Sequence, residues 1–235
     1  MHLLIDAGNT RIKWALLNPA LKEPLITRYV DKQDFERCLS ELSRDEIDSV
    51  ALSSVREASE LLNIINRYFA VPIHQAVSKD SYKELSSGYQ RPQQLGVDRW
   101  LALCACYERY HDSFIVIDAG TAITLDVVDK RCKHLGGHII PGRDLMIESL
   151  NLNTHLIEVE DSAITYEQDL GINTHSAVTN GASCAVAAYI NSIIAQYPAY
   201  QVVITGGSAG EISASLNCEV KVVENLVLEG LSLLI

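Results

Sequence analysis

The chain has 235 residues, of which 48% are hydrophobic, and its formal net charge is -11 at pH 7. This length and composition exclude a disordered chain and allow one large domain or two domains of roughly 100 to 150 residues each. The acidic balance argues against broad electrostatic binding to DNA or RNA, because neutralising phosphates takes a surface rich in lysine and arginine. Small anionic ligands remain compatible with it, since backbone amides and a bound metal can receive them.

The apolar periods of the chain predict a mixed α/β structure. In chain order, the predicted elements are a strand over 2–6, a strand over 11–17, a helix over 33–43, a strand over 49–55, a helix over 59–69, a helix from about Gly96, strands over 114–118 and 123–128, a loop or short strand over 136–142, helices over 143–152 and 174–195, a strand over 201–205 and a helix from about 225.

Cysteine spacing and the N-terminal residues indicate the cellular compartment of the protein. The six cysteines include no Cys-x-x-Cys pair, so neither a zinc site nor a disulfide framework is indicated, and we predict reduced core thiols. The N-terminus lacks the pattern of a signal peptide, and we expect no membrane-spanning stretch. These features predict a soluble cytoplasmic protein that binds neither membrane nor nucleic acid.

One short phrase occurs twice, as LLIDAGNT at 3–10 and IVIDAGTA at 115–122. A fixed-period solenoid needs at least three copies of its unit, so two copies predict a duplicated lobe. Each copy is an apolar strand that ends in an Asp-Ala-Gly turn. Gly8 and Gly120 allow a ligand to approach the main chain, and a carboxylate beside a phosphate becomes useful when Mg²⁺ lies between them. Two such turns therefore suggest a nucleotide–metal clamp.

Other interpretations of the repeated turn are open at this point. A single Asp-x-Gly turn is most often a hairpin with a capping aspartate. Bilobal aspartic proteases also carry two Asp-x-Gly turns, whose carboxylates share a proton. Those proteases are mostly β, whereas this chain has at least five helical patterns and places Asn9 after the first turn glycine. The glycine-rich motifs of Rossmann and P-loop proteins are absent.

Six motifs in register carry a resemblance over essentially the whole chain. They are DAGNTRIKWA, YQRPQQLGVDRW, DAGTAITLD, GGHIIPG, GINTHSAVTNGA and TGG. Together they closely resemble type III pantothenate kinase. The resemblance implies an α/β fold with two duplicated ribonuclease-H-like lobes of the actin/Hsp70/sugar-kinase superfold, spanning 1–110 and 111–235, with an interlobe cleft. It implies ATP-dependent phosphorylation of pantothenate to 4'-phosphopantothenate, the first step of coenzyme A biosynthesis.

The resemblance also implies roles for individual residues. ATP and its phosphates are expected at Asp6, Gly8, Asn9, Thr10, Lys13, Asp118, Gly120, Thr121, Ala122, Gly206 and Gly207. Pantothenate is expected at Tyr89, Gly96, Val97, Asp98, Arg99, Gly137, Ile139 and Thr174, with Pro141 and Gly142 in the same loop as Gly137. Asp98 is the implied general base, and Arg99 offers a rigid fork for the pantothenate carboxylate.

Metal ions and a second subunit follow from the same resemblance. Asp6 and Asp118 are expected to hold Mg²⁺, directly or through water, and Asp126 is expected to bind a monovalent cation, K⁺ or NH₄⁺. A homodimer is expected, and small residues form a stripe along one predicted helix at Ala177, Gly181, Ala185 and Ala188. Such a stripe allows close helix packing, but burial within one subunit explains it about equally well.

Several of these residues have structural explanations as well. Lys13 could be an exposed strand lysine, Asp98 could cap its helix, and Asp126 could be polar-face alternation in a strand. Two other functions are compatible with the fold: a transcription accessory factor without kinase activity, and an ATPase or phosphatase. A kinase differs from both because its nucleotide turnover depends on an acceptor alcohol.

Overall fold

A computed structural model describes residues 1–8, 11–18, 20, 26–54, 58–154, 159 and 167–235. Two predicted phosphate-binding residues, Asn9 and Thr10, lie outside the described residues. The strands are β1 (His2–Ala7), β2 (Arg11–Leu17), β3 (Thr27–Asp31), β4 (Ser49–Ser54), β5 (Ile73–Gln75), β6 (Ser81–Tyr82), β7 (Leu85–Ser86), β8 (Phe114–Ala119), β9 (Ala122–Val128), β10 (His134–Pro141), β11 (Gln201–Thr205) and β12 (Val220–Val222). The helices are α1 (Phe35–Ser40), α2 (Ser59–Tyr68), α3 (Val97–Tyr110), α4 (Arg143–Asn153), α5 (Thr174–Ile194), α6 (Ala209–Ser213) and α7 (Leu226–Ser232).

The first sheet has the strand order β3-β2-β1-β4-β5. Strand β1 pairs antiparallel with β2 and parallel with β4. Its alternate side chains, which include Leu3 and Ile5, lie in one core with Leu52 and the α2 residue Ile65, all fully buried. The opposite face of β1 carries Asp6 near the end of the strand, so the alternation of the strand places this carboxylate away from that core.

The second sheet repeats the plan of the first, with the order β10-β9-β8-β11-β12. Strand β8 again pairs antiparallel with the next strand, β9, and parallel with β11. Its core contains Ile115 and Ile117 packed with Val186 and Ile190 of α5. The same strand order and pairing directions confirm the lobe duplication that the repeated phrase predicts.

The C-terminal helix α7 is where the structure departs from the predicted lobes. The chain divides into two compact units, Met1–Arg109 with Asn225–Ile235, and Tyr110–Glu224. Our predicted second lobe ran to residue 235, whereas α7 packs on β1 and β4 of the first sheet. A Cβ at Gly230 would lie 2.1 Å from the carbonyl oxygen of Leu101, so α7 and α3 approach backbone to backbone.

Most predicted elements match the structure within one or two residues, but the segment 136–142 does not. It was expected to be a loop or short strand, and it forms most of the eight-residue strand β10. Glycines weaken a strand pattern in the sequence, yet β10 is held by its pairing with β9. The sequence does not predict the short elements β3, β5, β6, β7, β12 and α6, because two to five residues carry little periodicity.

The long helix α5 is the one described helix that is long and apolar enough to cross a membrane by length and composition alone. Its buried residues Val186 and Ile190 lie in the second core, and the core helix of a globular domain passes the same test. The sequence analysis, by contrast, expects no membrane-spanning stretch.

The six cysteines are free thiols, which agrees with the expected reduced state. Three are buried, namely Cys104, Cys106 and Cys132. The expectation of core thiols is wrong for Cys184 and Cys218, which are exposed.

Candidate active site

The first Asp-Ala-Gly turn joins β1 to β2. Asp6 lies opposite Lys13 on β2 and opposite Ser53 on β4, and both Asp6 and Lys13 are half-buried. The backbone N–H of Gly8 donates to the carbonyl oxygen of Arg11 at 3.1 Å and closes the turn. The Lys13 ammonium lies 5.1 Å from the centroid of the Tyr29 ring, in a cation–π contact. The lysine is therefore not simply an exposed strand residue.

The second turn joins β8 to β9 and has the same form. Asp118 is half-buried near the end of β8, and the N–H of Gly120 donates to the carbonyl oxygen of Ala122 at 3.1 Å. Gly206 follows the neighbouring strand β11 with φ +97°. A Cβ there would lie 2.5 Å from the carbonyl oxygen of Ala119 and 2.6 Å from Asp118 Oδ1. Only glycine permits this backbone conformation and this approach without strain.

A third glycine completes this group in the second unit. The N–H of Gly142 donates to the carbonyl oxygen of Thr121 at 2.9 Å, and a Cβ at Gly142 would lie 2.6 Å from the carbonyl oxygen of Gly120. The structure therefore brings together Asp118, Gly120, Thr121, Gly142 and Gly206. Gly207 lies beside them, and nothing is within 4 Å of a Cβ built on it.

In this glycine-lined group the main chain packs closely on itself at Gly142 and Gly206, and it is open at Gly207. Main chain without a side chain is what the close approach of a phosphate requires. Mg²⁺ is commonly bound through one or two carboxylates, water and substrate phosphates, and within the second unit Asp118 is a carboxylate of this kind. Among the described residues, no cluster of three or more His, Cys, Asp or Glu side chains could hold a metal ion by itself.

The pantothenate motif lies at the start of α3 in the first unit. Arg99 is only 5% exposed, and its Nη1 donates to the Tyr89 hydroxyl oxygen at 2.9 Å. The guanidinium also lies 5.6 Å from the centroid of the Tyr89 ring. Burial of an arginine requires partners, and Tyr89 is one of them. Arg99 is therefore not a surface residue.

Asp98 lies in the first turn of the same helix and is half-buried. Its Oδ1 accepts the backbone N–H of Arg99 at 2.8 Å. A Cβ at Gly96 would lie 2.6 Å from the same oxygen, so the glycine leaves the room that the carboxylate occupies. Val97 is the first residue of α3 and is half-buried. The motif thus places a half-buried carboxylate and a buried guanidinium on consecutive residues at the start of one helix.

Asp126, the predicted cation ligand, is only 2% exposed. Its Oδ1 lies 2.8 Å from Nε2 of His134, a residue of β10 that is fully buried. Simple polar-face alternation does not describe it, because such a residue would face water. Burial of Tyr189 raises its pKa, and the negative charge of Asp126 raises that pKa further.

The remaining predicted residues of the second unit are separated along its surface. Gly137 lies directly opposite Asp126 in the β9–β10 pairing. Ile139 is 62% exposed, and Thr174 is the exposed first residue of α5, after the N-cap residue Asn173. Among the described residues of this unit, the side chains of Ile139 and Thr174 form no hydrogen bond with the glycine group, and their substrate roles stay predictions.

Sequence reasoning missed three buried polar residues beside the predicted carboxylates. Ser53 is fully buried, pairs with Asp6 in register, and its hydroxyl has no hydrogen-bond partner among the described residues. The equivalent position of the second sheet holds Thr205, opposite Asp118. An alignment of SVALSS with QVVIT as equivalent strands of the two lobes could have found this pair. The other missed residue is His134, whose partner is set by hairpin register.

The strand order of both sheets and the paired Asp-Ala-Gly turns define a protein of the actin, Hsp70 and sugar-kinase fold. A candidate Baf family transcriptional activator from Campylobacter jejuni aligns with a TM-score of 0.63 at 20% identity, over 99% of this chain and 96% of its own. A candidate 2-dehydro-3-deoxygalactonokinase from Sinorhizobium meliloti aligns with a TM-score of 0.57 at 11% identity, over 99% and 97%.

The sequence comparisons identify a narrower class of protein than the fold does. Residues 2–196 match the family profile described as type III pantothenate kinase. A type III pantothenate kinase from Marinobacter nauticus is 34% identical over 244 aligned positions, covering 98% of this chain and 96% of the relative. The chain belongs to the type III pantothenate kinase family. This membership confirms the resemblance carried by the six motifs, and with it the predicted fold class and kinase activity.

Proposed function

We propose that this enzyme transfers the γ-phosphoryl group of ATP to the primary hydroxyl of pantothenate, which yields 4'-phosphopantothenate and ADP and begins coenzyme A synthesis. The observation that carries the proposal is the α3 start, where Asp98 adjoins the buried Arg99 and its partner Tyr89. The Asp98 carboxylate can accept a proton from a hydroxyl group, and the Arg99 guanidinium can bind a carboxylate. Pantothenate has a hydroxyl and a carboxylate. As a member of a bacterial family of this kind, the enzyme is expected to act in the cytoplasm.

The reaction needs positioning and charge neutralisation more than covalent chemistry from the protein. The acceptor oxygen forms a bond to the γ-phosphorus, the bond from that phosphorus to the bridging oxygen breaks, and ADP leaves. Asp98 accepts the proton from the hydroxyl as a general base. Arg99 orients pantothenate by holding its carboxylate in a two-pronged contact.

The glycine turns contribute to nucleotide binding. At Gly207 of the second unit nothing lies within 4 Å of a Cβ, so its backbone is open to a phosphate oxygen. Mg²⁺, when bound, would neutralise phosphate charge, and Asp118 would be its carboxylate in the second unit. Asp6 is the corresponding carboxylate of the first unit. Substituting Asp6→Ala or Asp118→Ala should weaken Mg-nucleotide binding, measured by nucleotide titration. An unchanged titration in either variant would remove that aspartate from the proposal.

One coupled assay tests the proposed reaction. ADP release from ATP is measured with pantothenate, without it, and with an analogue in which the primary hydroxyl is replaced by hydrogen. We expect turnover only with the complete acceptor. Equal ADP release in all three arms would instead indicate an ATPase or phosphatase. No turnover from the folded, nucleotide-binding protein would favour the accessory-factor alternative.

We further propose that the working unit is a homodimer packed through α5. The stripe residues Ala177, Gly181, Ala185 and Ala188 are all exposed in the single chain, so burial within one subunit does not explain them. Small exposed residues on a long helix allow close packing with a second copy. Light scattering should give twice the 25.9 kDa chain mass. Ala185→Arg should reduce it to one chain mass, whereas Glu60→Arg on the exposed face of α2 should not.

The proposed monovalent cation site is at Asp126. A buried carboxylate oxygen is a suitable ligand for K⁺ or NH₄⁺, because these cations need no soft donor. Activity measured in sodium buffer is expected to rise when potassium or ammonium is added at constant ionic strength. Full activity that is indifferent to potassium would remove the cation from the proposal and would leave phosphoryl transfer unaffected.

A further inference from the structure

Ser53 carries a buried hydroxyl group near the end of β4. The residue is 0% exposed, and its Oγ has no hydrogen-bond partner among the described residues. A buried hydroxyl of this kind loses its hydrogen bonds to water and gains none in return, so it destabilises the folded chain. Alanine would occupy the same strand position without that loss. The stability of the fold therefore does not explain this hydroxyl, and a role in binding can.

The parallel pairing of β1 with β4 identifies the side chain that the hydroxyl can reach. Asp6 of β1 lies directly opposite Ser53. The preceding residues Ile5 and Leu52 lie in the first core, and successive side chains of a strand point to opposite faces. Asp6 and Ser53 are therefore neighbours on the sheet face that points away from that core.

A second pair on these strands shows that register partners on this face come within hydrogen-bond distance. His2 lies opposite Ser49, nearer the start of both strands, and the Ser49 Oγ is 2.8 Å from the His2 Nδ1. The carboxylate oxygens of aspartate are the same number of bonds from the backbone as the Nδ1 of histidine. A change of side-chain rotamer is thus enough to bring the Ser53 Oγ to an oxygen of Asp6.

The second unit places a hydroxyl in the same relation to its own aspartate. Thr205 of β11 lies opposite Asp118 of β8 in a parallel pairing, and Thr205 is 3% exposed. The residues before the two hydroxyls differ, with Leu52 in β4 and Ile204 in β11. The same chemical group therefore recurs beside both Asp-Ala-Gly turns, which connects it with the aspartate and not with the packing of one strand.

A carboxylate that already has partners can still accept this hydroxyl. An ionised carboxylate has about four acceptor sites, so a bond from Ser53 adds to the other interactions of Asp6. A hydroxyl that donates to a charged oxygen forms a strong, short hydrogen bond. Groups that hold a metal-binding carboxylate in one orientation commonly contribute roughly 10- to 100-fold to metal affinity.

We propose that Ser53 is a positioning residue for the Mg-nucleotide: its hydroxyl donates to the Asp6 carboxylate when Mg²⁺ and nucleotide bind, and it fixes the orientation of that carboxylate. The inference rests on the proposed role of Asp6 as a carboxylate of the nucleotide–metal site. Binding then supplies the hydrogen bond that the hydroxyl lacks in the free protein, so its unfavourable burial is offset in the complex.

The substitutions Ser53→Ala and Ser49→Ala form a matched pair on one face of β4. Without nucleotide, Ser53→Ala should have a Tm no lower than the wild type, because it removes a hydroxyl that has no partner. Ser49→Ala should lower the Tm, because it removes a hydroxyl that is bonded to His2. A clear fall in the Tm of Ser53→Ala would show that its hydroxyl is bonded in the free protein and would overturn the inference.

Nucleotide binding should reverse the order of the two variants. Isothermal titration calorimetry measures the Kd of a non-hydrolysable ATP analogue, once with Mg²⁺ in fixed excess and once with EDTA. For Ser53→Ala, we expect the Kd with Mg²⁺ to rise about tenfold and the Kd with EDTA to stay at the wild-type value. Ser49→Ala should keep both wild-type values. Ser53→Thr retains the hydroxyl and should bind the Mg-analogue like the wild type.

The outcomes separate this inference from the proposed function. A wild-type Kd in Ser53→Ala, with weakened Mg-analogue binding in Asp6→Ala, would overturn the role of Ser53 and keep Asp6 in the nucleotide site. A wild-type Kd in Asp6→Ala would overturn both. Equal weakening of Ser53→Ala with Mg²⁺ and with EDTA would mean that the hydroxyl acts through packing, and the inference would again be overturned.

Discussion

Gly206 lies against the carboxylate of Asp118, so closely that a Cβ on the glycine would be 2.6 Å from Asp118 Oδ1. The glycine follows β11 and the aspartate nearly ends β8, and these strands are parallel neighbours. The carboxyl ends of adjacent parallel strands therefore place a carboxylate against main chain that only glycine can supply. This relationship makes Gly206 a sensitive position for stability.

Gly206→Ala should destabilise the protein. The new Cβ would meet the Ala119 carbonyl oxygen at 2.5 Å, and the residue would keep φ near +97°, so we expect a loss of about 2 kcal/mol in the free energy of unfolding. Urea denaturation measures it. The matched control is Gly210→Ala, because nothing lies within 4 Å of a Cβ there and alanine is the better helix former. Equal stability of the two variants would contradict the strain argument.

Asp98→Asn should abolish most of the activity with little effect on folding. The amide oxygen can still accept the Arg99 N–H that Asp98 Oδ1 accepts at 2.8 Å, but it cannot take up the hydroxyl proton. We expect kcat to fall on the order of 10²-fold or more. Asp80→Asn, at an exposed position of the same unit, serves as the control and should keep wild-type kcat. Near-normal kcat in Asp98→Asn would show that another group is the base.

Gly230→Ala tests the placement of α7 in the first unit. Its Cβ would lie 2.1 Å from the Leu101 carbonyl oxygen, and because this is backbone, no rotamer change relieves the contact. The helix has to move away from α3, and we expect a loss of about 3 kcal/mol in the free energy of unfolding. In Ser232→Ala, a substitution in the same helix that removes a hydroxyl bonded to the Glu229 carbonyl oxygen, the loss should stay near 1 kcal/mol. If both variants unfold at the same urea concentration, α7 does not pack closely on α3.

Two buried thiols should make stability depend on pH in the alkaline range. Burial raises the pKa of Cys104 from 9.0 to about 12 and raises that of Cys106 as well. Below pH 9 both thiols are protonated in the folded and unfolded states, so this contribution to stability is fully present. Above pH 9 the unfolded chain loses these protons while the folded protein keeps them, and stability is lost as pH rises towards the folded pKa values.

The expected slope for each thiol is at most about 1.4 kcal/mol per pH unit. Urea denaturation at pH 8.5 and at pH 10.5 measures it in the wild type and in Cys104→Ala/Cys106→Ala. The variant should lose less stability between the two pH values than the wild type. An identical loss would mean that these thiols ionise as readily in the folded protein as in the unfolded chain.

The sequence by itself determined the features that depend on neighbouring residues. The two Asp-Ala-Gly turns, the strands that lead into them, and the start of α3 at Val97 follow from local patterns of apolar residues and glycine. The repeated phrase predicted duplicated sheets, because identical turn chemistry after identical strands produces the same local unit twice. Resemblance in six motifs, from the first turn to the TGG segment at 205–207, supplied the family and the acceptor.

Only the tertiary structure decided which distant residues meet. Strand β10 forms because it pairs with β9, although its own glycines do not favour a strand. A bulge in that pairing brings His134 to Asp126, and the parallel pairing of β1 with β4 brings Ser53 beside Asp6. The C-terminal helix packs on the first sheet, because its fully buried residues Leu226 and Leu228 need an apolar surface that local sequence does not identify. Register and long-range burial are properties of the folded chain, since each depends on residues far apart in the sequence.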